Sequence, residues 1–390
     1  MLHRTPLYDK HVEYGAKMVD FAGWEMPLVY MPGGKGSINE EHVQTRTKGG
    51  FFDVSHMGRL KIQGRHACRF LEKVCSRKIR DMKPGSCRYS LVCNEQGGVH
   101  DDVIVMRFDE DQFMMVVNAS NRAKVVGHFN AVKAHHQMNL TIEDQTTSTA
   151  MVAIQGPRVM EFISKVSKEI PTLKRYTFAT KNLLIAKLFV SRTGYTGEDG
   201  VEVILPAGMT KIAMGMLLKD VDPKAPDSLI KPCGLGARDT LRMEAGMPLY
   251  GHELGEEINA LECGVDFAIS LDKDQTDHKD EFIGMAALKK VRDSGGPARK
   301  LVGLKLEGKR SARQGMNVLK GDSSVGIVTS GCPSPTLGYP IAMAFVAREH
   351  AAEGTTLQVD NGKERLDATI VKLPFYKAAP VAPAPAKVGV

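Results

Sequence analysis

The sequence predicts an α+β chain of more than one domain, ending in a small β-barrel or sandwich. Three observations predict it. At 390 residues the chain exceeds the size at which one hydrophobic core keeps growing, so two or three domains are expected. Two strand–helix–strand blocks with antiparallel neighbours follow one another in the first part, the pattern of α+β sandwiches. From Lys300 onward, short β-rich runs alternate with Gly/Pro turns.

Composition narrows the function classes. Hydrophobic residues are 43% and charged residues 25%, which is ordinary for a globular protein and excludes a disordered or fibrous chain. The net charge of +7 is spread along the chain instead of packed into one stripe, so nucleic-acid binding is not favoured, although an acidic partner or a polyanionic substrate tail is compatible. The seven cysteines include no Cys-x-x-Cys pair and no histidine at metal-ligand spacing, which argues against zinc, iron–sulfur or a disulfide framework. The start Met1-Leu2-His3-Arg4 has no apolar signal region, and no apolar run is long enough to cross a bilayer. A reducing, soluble, cytoplasmic setting is expected; for a eukaryotic parent, a targeting peptide removed before this start stays open and the setting becomes the mitochondrial matrix.

In chain order, Met18–Leu28 reads as a short apolar strand carrying Trp24, a core or rim aromatic. Pro32-Gly33-Gly34-Lys35-Gly36 lacks the Gly-Lys-Ser/Thr ending of a phosphate loop and reads as a plain loop. Ser37 as N-cap with Glu40 three residues on predicts a helix to Lys48, ended by Gly49-Gly50. Phe51–Gly58 is a strand entering a turn; Asp53, Ser55 and His56 stand too close in sequence to act on one another as a hydrolase triad. Strands are predicted at Leu60–Ile62, Arg88–Cys93, Asp102–Arg107 and Gln112–Asn118, with a helix at His66–Cys75. Further strands fall at Thr149–Ile154, Leu183–Ser191 and Val201–Leu205, and a helix at Arg158–Val166 starts behind Pro157. Gly234-Leu235-Gly236 lacks the third glycine of a dinucleotide fingerprint; it feeds a helix on which Arg238 and Arg242 share one face, free to bind an anion or to pair with carboxylates. A helix near Ile283–Val291 leads to the linker Asp293–Pro297, and Ala378–Ala386 is Ala/Pro-rich and cannot bury a core.

The chemistry is expected at Gly97-Gly98-Val99-His100-Asp101-Asp102-Val103-Ile104-Val105. A two-glycine turn opens there into an apolar strand with two adjacent aspartates. Side chains alternate, so Asp101 goes with Val99, Val103 and Val105, and Asp102 with His100, Ile104 and Met106. Only one carboxylate can enter a given pocket; the plainer alternative is that one or both cap the turn. Glu202 is a second acid among apolar strand residues, on the face of Ile204, opposite Val201, Val203 and Leu205. Burial there requires either a basic partner or a ligand with paired donors.

The order and wording of these segments closely resemble the glycine-cleavage T-protein (aminomethyltransferase) family along nearly the whole chain. The matching phrases are Phe21–Trp24, Phe52–Met57, Gly97–Val105, Gly194–Glu202, Gly234–Glu244 and Thr329–Gly338. The resemblance implies a three-domain cloverleaf: two interleaved ferredoxin-like domains within residues 1–280 around a central folate funnel, a β-barrel at 281–376 and a disordered tail at 377–390. It implies transfer of the aminomethyl-derived methylene from lipoylated H-protein to tetrahydrofolate, free or polyglutamylated, without metal, membrane or nucleic acid. Asp102 becomes the catalytic carboxylate, and Asp101 faces away and serves the structure. Glu202 reads the pterin, Tyr89, Asn118, Tyr195 and Arg238 surround the folate, and Met57 and Val117 form apolar walls. Met106 stands where relatives often carry an aromatic. Two rivals remain: a folate binder without transferase activity, whose Lys-Gly-Cys-Tyr-type signature is replaced here by Met247–Glu253, and a folate-dependent demethylase of a free small molecule. The basic segment Gly308–Arg313 is either a docking surface for an acidic H-protein or a solvated barrel loop.

Overall fold

The computed structural model describes residues 2–183, 186–217, 225 and 227–379. Two large sheets carry the architecture. A five-stranded sheet runs in the order Ser86–Cys93, Val99–Asp109, Gln112–Val117, Gly58–Gln63, Thr141–Asp144. A six-stranded sheet runs Phe178–Leu183, Ala186–Ser191, Gly200–Pro206, Thr149–Gln155, Gly50–Asp53, Lys231–Pro232. The expected strand at Leu183–Ser191 is therefore parts of two antiparallel strands, and the helix behind Pro157 is shorter than expected, at Val159–Ile163.

Alternation along each strand decides which face goes where. On the five-stranded sheet, Leu60, Val103, Val105, Phe113, Met115 and Val117 point into a core closed by helices Ala67–Val74 and Arg122–His135 through Phe70, Leu71, Val125 and Phe129. The other face packs Met106, Met114 and Val116 against Phe52, Met151 and Ile204 of the six-stranded sheet. The two sheets thus share one apolar layer.

The chain passes between the sheets at residues 54–57 and returns at 145–148. Both crossings are held by Arg59, whose side chain is 0% exposed. Its guanidinium donates to the carbonyls of Ser55 (3.1 Å), Met57 (2.5 Å) and Thr149 (3.1 Å), to that of Thr146, and through Nε to Thr149 Oγ1 (2.7 Å). Burial lowers its pKa to about 10, still charged at neutral pH.

The N-terminal apolar stretch forms a hairpin of Ala16–Phe21 and Trp24–Tyr30 instead of the single strand expected. Its turn places Ala22 (φ 51°) and Gly23 (φ 81°) both in the left-handed region, the geometry a two-residue hairpin connection demands. Trp24 is buried, as a core or rim aromatic should be. Ser37 caps helix Ile38–Thr47 by accepting from the Glu40 amide at 3.2 Å.

Residues from Arg299 to Val371 close a six-stranded barrel, the alternative the resemblance implied where the alternating pattern left barrel and sandwich open. It fastens to helix Leu235–Glu244 through Met243, packed with Cys332, Ile341 and Met343. Helix Met285–Asp293 packs Met285 and Leu288 against Leu91, Cys93 and Val99, at the end of the five-stranded sheet. Among the described residues no helix is long and apolar enough to cross a membrane, and no cluster of His, Cys, Asp and Glu could hold a metal ion. Residues 380–390 of the expected tail lie outside the described residues.

Candidate active site

The aspartate strand starts where the sequence places it. Gly97 has φ 83°, and a Cβ on Gly98 would stand 1.8 Å from the Glu256 carbonyl oxygen, so this turn admits only glycine at both positions. Asp101, 0% exposed, accepts from the Asn118 amide at 3.0 Å, Asn118 Nδ2 at 2.8 Å and Asn121 Nδ2 at 2.6 Å. Asp102, on the face of Ile104 and Met106, accepts from Asn118 Nδ2 at 2.7 Å and from the Tyr89 hydroxyl at 3.1 Å. Burial pushes both carboxyl pKa values up, and each Asn118 contact pulls them back. The Tyr89 phenol is pushed further from ionisation by burial and by Asp102, so it stays an O–H.

The opposing wall comes from strand Gly200–Pro206. Val201 enters the core behind this sheet while Ile204 joins the shared layer, which puts Glu202 on the side of the five-stranded sheet. Glu202 is 9% exposed and accepts from Thr193 Oγ1 at 2.5 Å, and Thr193 is in turn hydrogen-bonded to Ser191 Oγ at 2.7 Å. Burial lowers the Arg238 pKa and Glu202 supports its charge. The Arg238 Cζ lies 4.9 Å from the Tyr195 ring centre, and its Nη1 is buried with no hydrogen-bond partner among the described residues. Tyr195 is fixed by donating to the Pro248 carbonyl at 2.5 Å.

The two arginines one helical turn apart differ. Arg242 is 1% exposed and donates to Asp239 (2.8 Å), Glu253 (2.9 Å), Ser330 Oγ (2.9 Å) and the Met247 carbonyl (3.2 Å). It is a carboxylate partner joining helix and barrel. The Gly234 and Gly236 pair serves packing: a Cβ on Gly234 would sit 2.3 Å from the Leu28 carbonyl, and one on Gly236 2.5 Å from the Ile38 side chain.

Met57 joins the shared layer at its edge, on the crossing held by Arg59. Val117 does not: it lies in the helix-covered core, and Val116 takes the face of Ile104 and Met106. The wall assignment was one residue out of phase, and on a strand one residue is the whole difference between faces. Met106 is 2% exposed inside the layer and offers no surface for stacking. Aromatic surface comes instead from Phe267, 62% exposed, its ring centre 5.8 Å from that of Tyr89. No pattern in the sequence marks Phe267, because a short 3₁₀ turn far along the chain brings it there. Asp53, Ser55 and His56 form no triad: Asp53 holds His11 at 2.8 Å, Ser55 Oγ holds the Met151 carbonyl at 3.1 Å, and His56 Nδ1 is buried without a partner among the described residues.

Two sheets sharing an apolar layer, with a carboxylate on each side and a barrel packed behind, define a multidomain α+β protein that holds acidic groups between its sheets. Residues 7–273 match the GCVT N-terminal domain family, and residues 299–377 the glycine cleavage T-protein C-terminal barrel domain. The chain is 40% identical over 381 residues to an aminomethyltransferase of Bacillus pumilus, covering 97% of this chain and 100% of that one. It is 42% identical over 378 residues to one from Rubrobacter xylanophilus, covering 96% and 95%. Among solved structures, the glycine cleavage system aminomethyltransferase T from Bartonella henselae matches with a TM-score of 0.86 at 30% identity, covering 97% and 99%. The chain belongs to the glycine-cleavage T-protein family. It is an enzyme, an aminomethyltransferase, and tetrahydrofolate is that family's substrate.

Proposed function

We propose that the chain transfers the methylene of an aminomethyl group, carried on a sulfur of the lipoyl arm of H-protein, to tetrahydrofolate, breaking its C–N and C–S bonds to give 5,10-methylenetetrahydrofolate, ammonia and the arm as its free dithiol. One observation carries the site assignment: a buried carboxylate, Glu202, and a buried guanidinium nitrogen of Arg238 with no partner among the described residues stand on one wall, facing Asp102 on the other. A pterin edge carries adjacent N–H donors beside a carbonyl oxygen, which is the complement of Glu202 and Arg238. The residues present fit that group. Tetrahydrofolate supplies the nucleophilic nitrogens that accept the one-carbon unit.

The chain's own residues orient and neutralise. Glu202 accepts from the pterin, Arg238 donates to it, and Met57, Val116, Tyr89 and Phe267 flank the folate's rings. Asp102, in its deprotonated form, stabilises the cationic character that develops as the amine leaves. Asn118 fixes Asp102 by its amide and Tyr89 by its hydroxyl. Lys309, Arg310 and Arg313 of the basic segment Gly308–Arg313 lie exposed on the barrel beside the loop that anchors Tyr195, since Gln314 Nε2 donates to the Gly251 carbonyl at 2.9 Å. It is our docking surface for an acidic H-protein in a cytoplasmic setting. The decisive assay compares lipoylated, aminomethyl-loaded H-protein with free methylated amines as donors to tetrahydrofolate. Product only with the loaded H-protein is expected; product from the free amines would make this a demethylase.

A further inference from the structure

We propose that Asp101 is a positioning residue of the reaction: three N–H donors keep it charged, and that fixed charge, beside the shared Asn118 amide, makes Asp102 the member of the pair that holds the proton. The inference rests on Asp102 being the carboxylate that meets the substrate. Two adjacent carboxyl groups meet here, Asp101 buried and Asp102 half-buried, and one amide nitrogen, Asn118 Nδ2, contacts both, at 2.8 Å and 2.7 Å. Among the described residues no cation pairs with either. The basic groups nearby are engaged elsewhere: His100 with Glu256 at 3.2 Å, and Lys124 with Glu256 and Tyr250 at 2.7 Å each. The other titratable groups facing the pair are Tyr89 of the neighbouring strand, Tyr195 of the opposing wall and Cys263, all neutral and all with pKa values raised by burial. Two like charges this close, without a cation, retain one proton between them well above the ordinary carboxylate range.

Hydrogen-bond geometry decides where that proton sits. Asp101 meets only N–H groups: Asn118 N on Oδ2, and Asn118 Nδ2 and Asn121 Nδ2 on Oδ1. A protonated Asp101 would aim its O–H at a donor, leaving a buried polar group unsatisfied. Asp102 has a different neighbour at Oδ2, the Tyr89 hydroxyl. A hydroxyl can turn from donor to acceptor, so a proton on Asp102 Oδ2 is accommodated without breaking the network. The wall facing the substrate can then give or take a proton while its neighbour stays charged.

Infrared spectra of the protein without ligand, taken across pH, test this directly. The difference spectrum of wild type minus Asp102→Asn should show the carbonyl band of a protonated carboxylic acid persisting above the ordinary carboxylate range, the band of Glu41, whose carboxyl burial also raises to about 7, cancelling between the two. A difference spectrum without that band means that Asp102 carries no such proton and overturns the proposal. In Asp101→Asn the band's titration and the acidic limb of kcat should both fall by about one pH unit or more. KM for tetrahydrofolate should hold. A merely structural Asp101 would lower kcat equally at every pH, and that result would also sink the idea. The infrared readout needs no turnover, so it fails or succeeds independently of the transferase reading.

Discussion

The two walls that share one apolar layer handle charge in opposite ways. On the six-stranded side, Glu202 sits among hydroxyls with Arg238 close enough to share its field, so acid and base are both present before any ligand arrives. On the five-stranded side, Asp101 and Asp102 have amides and a phenol but, among the described residues, no cation. A wall with balanced, fixed charge is built to recognise. A wall whose charge depends on a proton is built to react, because its electrostatics can change during the reaction.

The strongest way to break this contrast is Asp102→Asn. It keeps shape, and should keep folate affinity, while turnover falls by about 10²–10⁴-fold. Steady-state kinetics beside calorimetric folate titration would show it, and a parallel loss of affinity would move Asp102 to the recognising wall. Asp101→Asn should be milder in turnover at the pH optimum.

Next in size is the contrast between the two arginines of one helix. Arg242→Met leaves Glu253 buried without its cation and should cost about 3–5 kcal/mol in denaturant unfolding. Arg238→Met removes an unpaired buried donor, so stability should hold or rise while folate affinity drops. Equal destabilisation by both variants would contradict the division between them.

Glu202→Gln follows. It puts a donor against a donor and should weaken folate binding by about 1.5–3 kcal/mol, with the melting temperature of the free protein nearly unchanged. If instead folate affinity held and melting fell, Glu202 would be a structural partner of Arg238. The smallest effect is expected from Lys309→Ala/Arg310→Ala/Arg313→Ala. KM for H-protein should rise modestly at low salt and lose its ionic-strength dependence. Identical salt slopes in variant and wild type would return the segment to the role of a solvated loop.

What could be read beforehand follows from how local each signal is. The faces of Asp101 and Asp102, of Glu202 and Ile204, and the short strands after Lys300 were legible, because alternation and turn residues act over a few positions. The hairpin at Ala22-Gly23 was missed because a non-glycine residue takes one of its left-handed positions. Whether Arg238 or Arg242 is engaged was not legible either. That depends on Glu253 and Ser330, which reach Arg242 by tertiary packing. The Val117 assignment failed on phase alone, and Phe267 and the role of Arg59 exist only once distant segments meet.

The paired crossings at Arg59 also bear on how the chain folds. Between them, residues 58–144 form the five-stranded sheet and its two helices from one unbroken stretch, entering and leaving on adjacent strands, with Leu60 opposite Asp144. The six-stranded sheet is different: Gly50–Asp53 must wait for Thr149–Gln155, which the ribosome delivers only after the whole inserted unit. Loop-closure entropy falls sharply if the insert is already compact, because its ends then stand side by side and act as a short tether. During synthesis the proton-holding wall is therefore complete before the recognising wall can assemble against it.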